Sequence, residues 1–382
     1  MKIKLNILMI GVGDNGLMEN KANALDRHLE YAQSFEAITM ILLTRDIRCK
    51  KERHKNFLII PIISSSRILQ FLKGIIKCAQ LIHKNRYDVV TTQDPFLTAL
   101  LGVFVKMFSP AKLHIQNHSC FVNNEKWSGE KFFFPILNYV AKNITLPSAD
   151  RYRVVNWQEK NIYVNDLKID KNLIDVLPVP IESEYWVENV SEDEVISFRN
   201  RFGIGEDIIL LGWAGRFVKV KNLPLLFEVV SKVYRNNSKI KLIMAGDFSH
   251  SEFNLEELEV RFGIQPIYLG FMNRNDLRLF YRSLHLYLHT SHYEGYGLTV
   301  ADALCSSIPA LALKTPGPSD IIENGINGYL CENSFELVSK IELLIKFPEL
   351  YLEIKRNASL FASNYDTKLM SNNIVNSIIN TI

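Results

Sequence analysis

The chain alternates between two kinds of hydrophobic spacing. Short apolar runs, which are typical of buried strands, occupy residues 4–10, 37–44, 87–92 and 112–116. Apolar residues three and four positions apart predict helices over residues 24–33 and 66–84. The apolar face of the second helix consists of Ile68, Leu72, Ile75, Ile76, Ala79 and Ile82. This alternation predicts a parallel sheet that is covered by helices on both sides.

The same rhythm begins again after residues 176–184, where two prolines interrupt the regular spacing. The later strands are predicted at residues 208–214, 239–245, 266–269 and 284–289, and the later helices at residues 223–234, 255–262, 274–283 and 298–305. We therefore expect two Rossmann-like, doubly wound α/β domains over residues 1–179 and 180–365, with a C-terminal helix from about residue 366 that packs on the first domain. Ligands of such sheets bind outside the carboxyl ends of the strands, so we expect a central cleft between the domains.

The composition is that of a globular protein. Of the 382 residues, 47% are hydrophobic and 22% are charged, which excludes a disordered or fibrous chain. The five cysteines are odd in number and include no C-x-x-C pair, which favours a reducing, cytoplasmic compartment and argues against zinc or a disulfide framework. No apolar run reaches about 18 residues, so we expect no transmembrane helix.

The net charge of +3 is unevenly distributed. Residues 1–180 carry 25 Lys and Arg against 16 Asp and Glu, whereas residues 181–382 carry 19 against 25. Basic side chains on the 66–84 helix, together with the stretch Lys131-Phe132-Phe133-Phe134, combine cations with aromatic rings. This combination suits an anionic membrane surface, and we expect no nucleic-acid partner. The alternative is a solvated helix face beside a buried aromatic cluster.

A glycine-rich loop follows the first predicted strand. Gly11, Gly13 and Gly16 match the G-x-G-x-x-G pattern, in which a helix N-terminus holds the pyrophosphate of a dinucleotide. That pattern also requires an acidic residue at the end of the second strand. Glu36 precedes this strand and Asp46 comes about ten residues too late. An NAD-dependent oxidoreductase therefore stays one alternative, beside a tight turn or a loop that contacts another substrate.

Two loops of the second domain carry the strongest chemical signals. The sequence GWAGRFVKVKN places Arg216 and Lys221 across a bend, so that both can point at one anion such as a diphosphate. The sequence HYEGYGLTVAD follows an apolar strand, and its glycines precede a helix whose free N–H groups can bind a phosphate. Glu294 lies just before this turn and Asp302 lies within the helix, and carboxylates suit hydroxyl-rich ligands. Solvated charged surface residues are the alternative.

These loops resemble those of the retaining GT-B glycosyltransferases in the family called glycosyl transferases group 1. GRFVKVKN is similar to the family's G-R-x-x-x-x-K-G loop, and EGYGLTVAD is similar to its E-G-F-G-L-x-x-x-E block. The resemblance is strong over residues 205–335 and weaker elsewhere. It implies that Arg216 and Lys221 clamp the diphosphate of a nucleotide-sugar donor. It also implies that Glu294 faces the donor sugar and that Asp302, which is shorter than the family's Glu, faces the ribose.

The resemblance assigns further residues to both substrates. Those implied to bind the donor nucleotide are Gly295, Tyr296, Gly297, Leu298, Thr299, Phe271 and Met272. Those implied to lie in an acceptor-side loop are Gly11, Gly13, Asn15 and Gly16. His118 matches a histidine that contacts the donor sugar or the reaction centre, and we count it with Glu294, Arg216 and Lys221 as catalytic.

The implied reaction transfers a sugar from a UDP- or GDP-sugar to a saccharide or lipid-linked saccharide, in surface polysaccharide or glycolipid assembly and with retention of anomeric configuration. Cationic side chains and backbone amides would carry the leaving-group charge, so we expect no metal and no cofactor. We expect a cytoplasmic protein, peripheral at the inner face of the membrane. His285, His289 and His292 are expected to be ordinary strand and loop histidines. The same loops would also suit a GT-B epimerase or phosphorylase, or a non-catalytic sugar-nucleotide-binding module.

Overall fold

Two parallel sheets organise the chain. The computed structural model describes residues 3–14, 16–18, 24–188, 190–363 and 365–382. Within them the strands are β1 (Ile3–Val12), β2 (Phe35–Thr44), β3 (Glu52–His54), β4 (Phe57–Ile63), β5 (Val89–Thr92), β6 (Lys112–Asn117), β7 (Arg151–Val154), β8 (Ile174–Val176), β9 (Ile209–Ala214), β10 (Ile240–Ala245), β11 (Ile267–Gly270), β12 (Leu286–His289), β13 (Ala310–Leu313) and β14 (Gly328–Cys331).

The helices of the described residues surround these strands. They are α1 (Ala24–Gln33), α2 (Arg67–Lys84), α3 (Leu97–Phe108), α4 (Glu125–Ser128), α5 (Phe134–Val140), α6 (Trp157–Asn165), α7 (Ser183–Val187), α8 (Glu192–Arg201), α9 (Leu223–Asn236), α10 (Leu255–Phe262), α11 (Arg274–Ser283), α12 (Leu298–Cys305), α13 (Pro316–Ile321), α14 (Ser334–Lys346), α15 (Pro348–Ser363) and α16 (Thr367–Ile379). Among the described residues no helix combines the length and the apolar character needed to cross a bilayer.

Contacts divide the chain into two units. One consists of Met1–Pro178 with Lys368–Ile382, and the other of Val179–Thr367. The first unit is built on a sheet whose described strands follow the order β3-β4-β2-β1-β5-β6-β7-β8, and its neighbours are parallel except for β3 and β4. The strand order reverses between β1 and β5, which is the point where ligands of such sheets bind.

The C-terminal helix α16 belongs to the first unit. Its Ile374, Val375 and Ile378 are buried in the same apolar cluster as residues of β1, β2 and α1. Ser377 donates a hydrogen bond of 2.6 Å to Asp175, and its hydroxyl lies 3.1 Å from Nε2 of His114. The chain therefore returns to its first sheet after completing the second unit.

Helix α2 is turned so that its apolar face meets solvent. An amphipathic helix normally buries this face. Here Ile68 is 73% exposed and Ile76 is 59% exposed, whereas the buried positions are Gln70, Gly74 and Cys78. The side-chain amide of Gln70 donates two 2.7 Å hydrogen bonds, to the carbonyls of residues 44 and 64, so that this buried polar group is satisfied. A Cβ at Gly74 would lie 2.8 Å from Leu101, which shows how closely α2 approaches α3.

The second unit contains a sheet of six described strands that are all parallel, in the order β11-β10-β9-β12-β13-β14. Apolar clusters cover both of its faces, one including Trp213 and the other including Tyr287. The chain runs from β9 to β10 and β11 on one side and then returns to β12 on the other. The strand order of this sheet therefore reverses between β9 and β12.

Candidate active site

The two motif-bearing loops of the second unit meet where its strand order reverses. One loop follows β9 and carries Lys221, and the other follows β12 and carries Glu294. Two hydrogen bonds tie the loops together: the Thr290 hydroxyl donates to the carbonyl of Lys221 at 3.0 Å, and the amide of His292 donates to the carbonyl of Val220 at 2.8 Å. The site therefore occupies the usual ligand position of a doubly wound sheet.

Lys221 and Glu294 form an ion pair at this position. The Lys221 ammonium donates to Oε1 of Glu294, and the two side chains are only 13% and 18% exposed. The hydroxyl of Ser291 approaches the same oxygen at 3.3 Å. Burial raises the pKa of Glu294, but the charges and hydrogen bonds around it, led by Lys221, outweigh burial and leave the pKa below its usual value. Glu294 is therefore a carboxylate at neutral pH.

His289 is a third polar side chain beside this pair. It ends β12, is 1% exposed, and places Nε2 3.7 Å from Oε1 of Glu294. Neither of its ring nitrogens has a hydrogen-bond partner among the described residues. Burial lowers the pKa of His289 to about 4, with Lys221 adding to the effect and Glu294 opposing it, so the ring is neutral at physiological pH. No signal in the sequence indicates that this histidine faces Glu294, because its spacing is that of an ordinary strand residue.

The other predicted cation of the first loop lies apart from this pair. Arg216 is exposed, and its guanidinium makes no hydrogen bond or ion pair with any residue that the structure describes. The 3-10 turn Lys219–Lys221 separates it from Asn222. Asn222 has a φ of 50° and is the residue that precedes α9. The structure thus brings Lys221 to Glu294 and leaves Arg216 free to meet a ligand.

The turn after Glu294 leads into α12 and offers free amides. Gly297 has a φ of 94°, in the left-handed region, and α12 begins at the next residue. The backbone N–H groups of Leu298 and Thr299 have no hydrogen-bond partner within the described ranges. A Cβ at Gly317 would lie 2.3 Å from the carbonyl oxygen of Tyr296, so only glycine lets α13 approach this turn. The arrangement provides a helix N-terminus for an anion.

Asp302 lies farther into α12, in a different setting from Glu294. Burial raises the pKa of Asp302 to about 8, although the charge of Arg274 opposes the rise and that of Glu182 adds to it. Arg274 itself donates a 2.6 Å hydrogen bond to Glu182. Burial raises the pKa of Tyr287, and the charges of Glu294 and Asp302 add to the rise. The Tyr287 hydroxyl donates to the carbonyl of Ala214 at 3.2 Å. Asp302 is therefore a largely protonated side chain rather than a second permanent negative charge.

Phe271 and Met272, the residues implied to lie beside the base, follow β11. Phe271 is 77% exposed, whereas Met272 packs against the apolar cluster of this unit. An exposed aromatic ring at the carboxyl edge of the sheet can stack on a planar ligand. Among the described residues no group of three or more His, Cys, Asp or Glu is arranged to hold a metal ion.

The remaining predicted residues belong to the first unit. His118 follows the carboxyl end of β6, and burial, with a smaller effect from Arg153, lowers its pKa to about 3. The neutral ring can therefore accept or donate a hydrogen bond at physiological pH.

The glycine loop differs from the dinucleotide pattern. Gly11 lies inside β1, opposite Leu42, and not in the loop after the strand, because β1 continues to Val12. Residues 16–18 form a turn, and α1 spans Ala24–Gln33. Asn15 lies outside the described residues.

A cavity of about 560 Å³ adjoins this loop. Its lining includes Gly13, Asp14, Arg45 and Arg67, which follow the carboxyl ends of β1 and β2 or begin α2. Two further cavities, of about 480 and 600 Å³, lie at the far end of α9 around Tyr234. They border the amino ends of the strands and contain none of the predicted site residues.

Comparison with known proteins shows which sequences this chain is similar to. Residues 195–361 match the sequence model of the family described as glycosyl transferases group 1. An uncharacterized glycosyltransferase of Haemophilus influenzae is 24% identical over 246 residues, which cover 63% of this chain and 65% of that protein. The alpha-monoglucosyldiacylglycerol synthase of Streptococcus pneumoniae is 23% identical over 296 residues, which cover 73% of this chain and 64% of that protein. The matches thus span slightly less than two thirds of these relatives.

A solved structure covers the whole fold. The crystal structure of Anabaena HepE in complex with UDP and glucose has a TM-score of 0.77 and 16% identity to this chain, and the match covers 98% of this chain and 100% of that one. At this identity the similarity shows the fold. The second unit therefore contains a segment that is similar to the glycosyl transferases group 1, and the two Rossmann-like domains of the chain have the GT-B fold.

Proposed function

We propose that this protein is a glycosyltransferase that moves a sugar from a nucleotide-sugar donor to a saccharide or lipid-linked saccharide. The observation that carries the proposal is the buried Lys221–Glu294 pair at the strand reversal of the second unit. A cation and a carboxylate side by side match the two halves of such a donor, which are a negative diphosphate and a hydroxyl-rich sugar. The match of the segment around these residues to the glycosyl transferases group 1 model supports this assignment.

The donor diphosphate would bind between Lys221, Arg216 and the free amides at the start of α12. The amides are fixed by the fold before the ligand arrives, and together with the two cations they can stabilise the charge that develops as the sugar departs. Binding requires Lys221 to turn from Glu294 to the diphosphate, which frees the carboxylate to accept hydrogen bonds from sugar hydroxyls. The complex of Anabaena HepE with UDP and glucose supports UDP as the first nucleotide to try.

We infer that transfer retains the anomeric configuration and needs no metal ion. The bond between the anomeric carbon and the phosphate oxygen breaks, and the departing phosphate takes the proton of the acceptor hydroxyl as the new bond forms on the same face. Lys221 and Arg216 would neutralise the departing nucleoside diphosphate. Glu294 positions the sugar in this scheme, and Asp302 would offer its carboxyl proton to the ribose.

The acceptor would bind to the first unit. The carboxyl edge of its sheet carries the glycine loop, the adjoining cavity and His118. The similarity to a synthase of glucosyldiacylglycerols supports a lipid-linked acceptor in glycolipid or surface polysaccharide assembly, at the cytoplasmic face of a membrane.

A thermal-shift screen of sugar nucleotides, followed by turnover assays with the donor that binds, tests the proposal. We expect Lys221→Ala and Glu294→Ala each to lower turnover by about 100-fold or more. Lys314→Ala, which removes an exposed lysine of the same unit that pairs with Glu332, is the matched control and should be nearly neutral. Stabilisation by NAD alone would support an oxidoreductase, and donor binding without transfer or hydrolysis would support a binding module.

A further inference from the structure

The outward apolar face of α2 lies opposite the face that holds the helix to the protein. Ile68, Leu69, Leu72 and Ile76 are between 50% and 73% exposed and follow one another at helical spacing. Gln70, Gly74 and Cys78 make the inward contacts. Large apolar side chains in a row on the surface mark a site that another surface covers.

Elements near α2 in the first unit also expose apolar side chains. Helix α2 packs on α3, and α3 packs on the π-helical turn Ala141–Thr145 that follows α5. Exposed apolar side chains of these neighbours are Met107 (71%), Phe108 (65%), Phe132 (92%), Phe133 (39%), Ile136 (61%), Tyr139 (66%) and Ile144 (43%). We call α2 and these neighbouring side chains the apolar–basic surface.

The charges of this surface have one sign. Residues 67–84, 97–108 and 131–145 contain no Asp or Glu. Their cations are Arg67, Lys73, Lys77, Lys84, Lys106, Lys131 and Lys142. Lys106 is bound to Asp150, but Lys73 donates to a backbone carbonyl, Lys77 donates to Gln80, and Lys131 lies over the rings of two phenylalanines.

We propose that the apolar–basic surface docks on an anionic lipid bilayer, with α2 lying in the plane of the interface. Apolar side chains flanked by lysines are the composition of interfacial helices, in which the apolar groups enter the acyl boundary and the cations meet lipid phosphates. The inference does not depend on the proposed reaction, because it concerns a surface of the first unit that contains none of the candidate donor residues.

Charge decides between a bilayer and a second copy of this chain. A symmetric dimer through this surface would place the same patch against itself. Its unpaired lysines would then face lysines, with no carboxylate in the three segments to compensate them. An anionic bilayer supplies the missing opposite charge.

Sedimentation of the full chain with vesicles tests the proposal. We expect binding to vesicles that contain about 30% phosphatidylglycerol in phosphatidylcholine, and weaker binding to phosphatidylcholine alone. Lys73→Gln with Lys77→Gln should weaken binding by about 25-fold, at roughly fivefold for each lysine. Ile68→Ser with Leu72→Ser and Ile76→Ser should weaken it by about 100-fold, and should not lower the melting temperature, because these side chains are already exposed.

Matched controls are available on the second unit. Val260→Ser with Leu352→Ser and Leu360→Ser removes three side chains that are 79%, 54% and 53% exposed, and Lys239→Gln with Lys241→Gln removes two exposed cations. Both controls should bind vesicles like the parent protein. Equal binding by parent, α2 variants and controls would overturn the proposal. So would a parent dimer that the α2 variants convert to a monomer while vesicle binding is absent.

Discussion

Replacing Glu294 by Gln should tighten the binding of a free nucleoside diphosphate and still impair sugar transfer. The ion pair makes Glu294 a competitor of the diphosphate for Lys221. Gln has nearly the same shape but no charge, so it releases the ammonium more easily and repels the diphosphate less. The same change removes a carboxylate that would hold the sugar, so the two effects have opposite signs.

The size of the gain follows from the burial of the pair. With side chains 13% and 18% exposed, this is a largely desolvated charged hydrogen bond, for which a net value of about 1.5–3 kcal/mol is typical. A hydrogen bond to neutral Gln is about half as strong. The difference of about 1 kcal/mol predicts a Kd for UDP that is roughly fivefold lower. Turnover with the sugar nucleotide should fall by about 100-fold.

Isothermal titration with UDP and with GDP at 0.15 M salt, alongside a turnover assay, measures both effects. Glu228→Gln is the matched control, because Glu228 forms an ion pair with Lys232 in the same unit and is 36% exposed. It should change neither quantity. Weaker nucleotide binding by Glu294→Gln, or unchanged turnover, would refute the reasoning that Lys221 exchanges one partner for the other.

Three further predictions concern the stability of the second unit. Lys221→Met should lower the free energy of unfolding by about 2–3 kcal/mol in urea titrations, because it leaves Glu294 buried without its cation, and adding Glu294→Gln should restore most of the loss; additive effects would contradict this. Burial raises the pKa of Asp302 in the folded protein to about 8, whereas an unfolded Asp loses its proton near pH 4. The folded protein therefore loses stability as the pH rises from about 4 to 8. Asp302→Asn should therefore stabilise at pH 8 and be neutral near pH 4, and an equal gain at both pH values would argue against a buried acid. Gly317→Ala should lower the melting temperature by about 4–8 °C, because its Cβ would lie 2.3 Å from the Tyr296 carbonyl, whereas Gly129→Ala, whose Cβ has 3.4 Å of space, should not.

The hydrophobic pattern predicts the elements of the second unit well. Helices α10, α11 and α12 begin and end at the predicted residues, because each has a clear apolar stripe and a turn residue at its start. Elements without a helical or strand-like hydrophobic period are not predicted. Strand β4 and helix α3 are both continuous apolar runs, and periodicity does not distinguish a buried strand from a buried helix.

The orientation of α2 does not follow from the pattern. Its apolar stripe is visible in the sequence, but the side that packs is chosen by Gln70, which satisfies two carbonyls of distant residues, and by Gly74, which admits Leu101. The proximity of His289 to Glu294 does not follow from the sequence for a related reason. Its position at the end of a strand is predictable, whereas its distance to Glu294 depends on the path of the following turn.

A crystal structure of this protein soaked with UDP tests the central claim most directly. We predict that the diphosphate lies against the amides of Leu298 and Thr299, with the Lys221 ammonium within hydrogen-bonding distance of a phosphate oxygen and no longer paired with Glu294. A diphosphate bound elsewhere, while Lys221 keeps its bond to Glu294, would contradict the account.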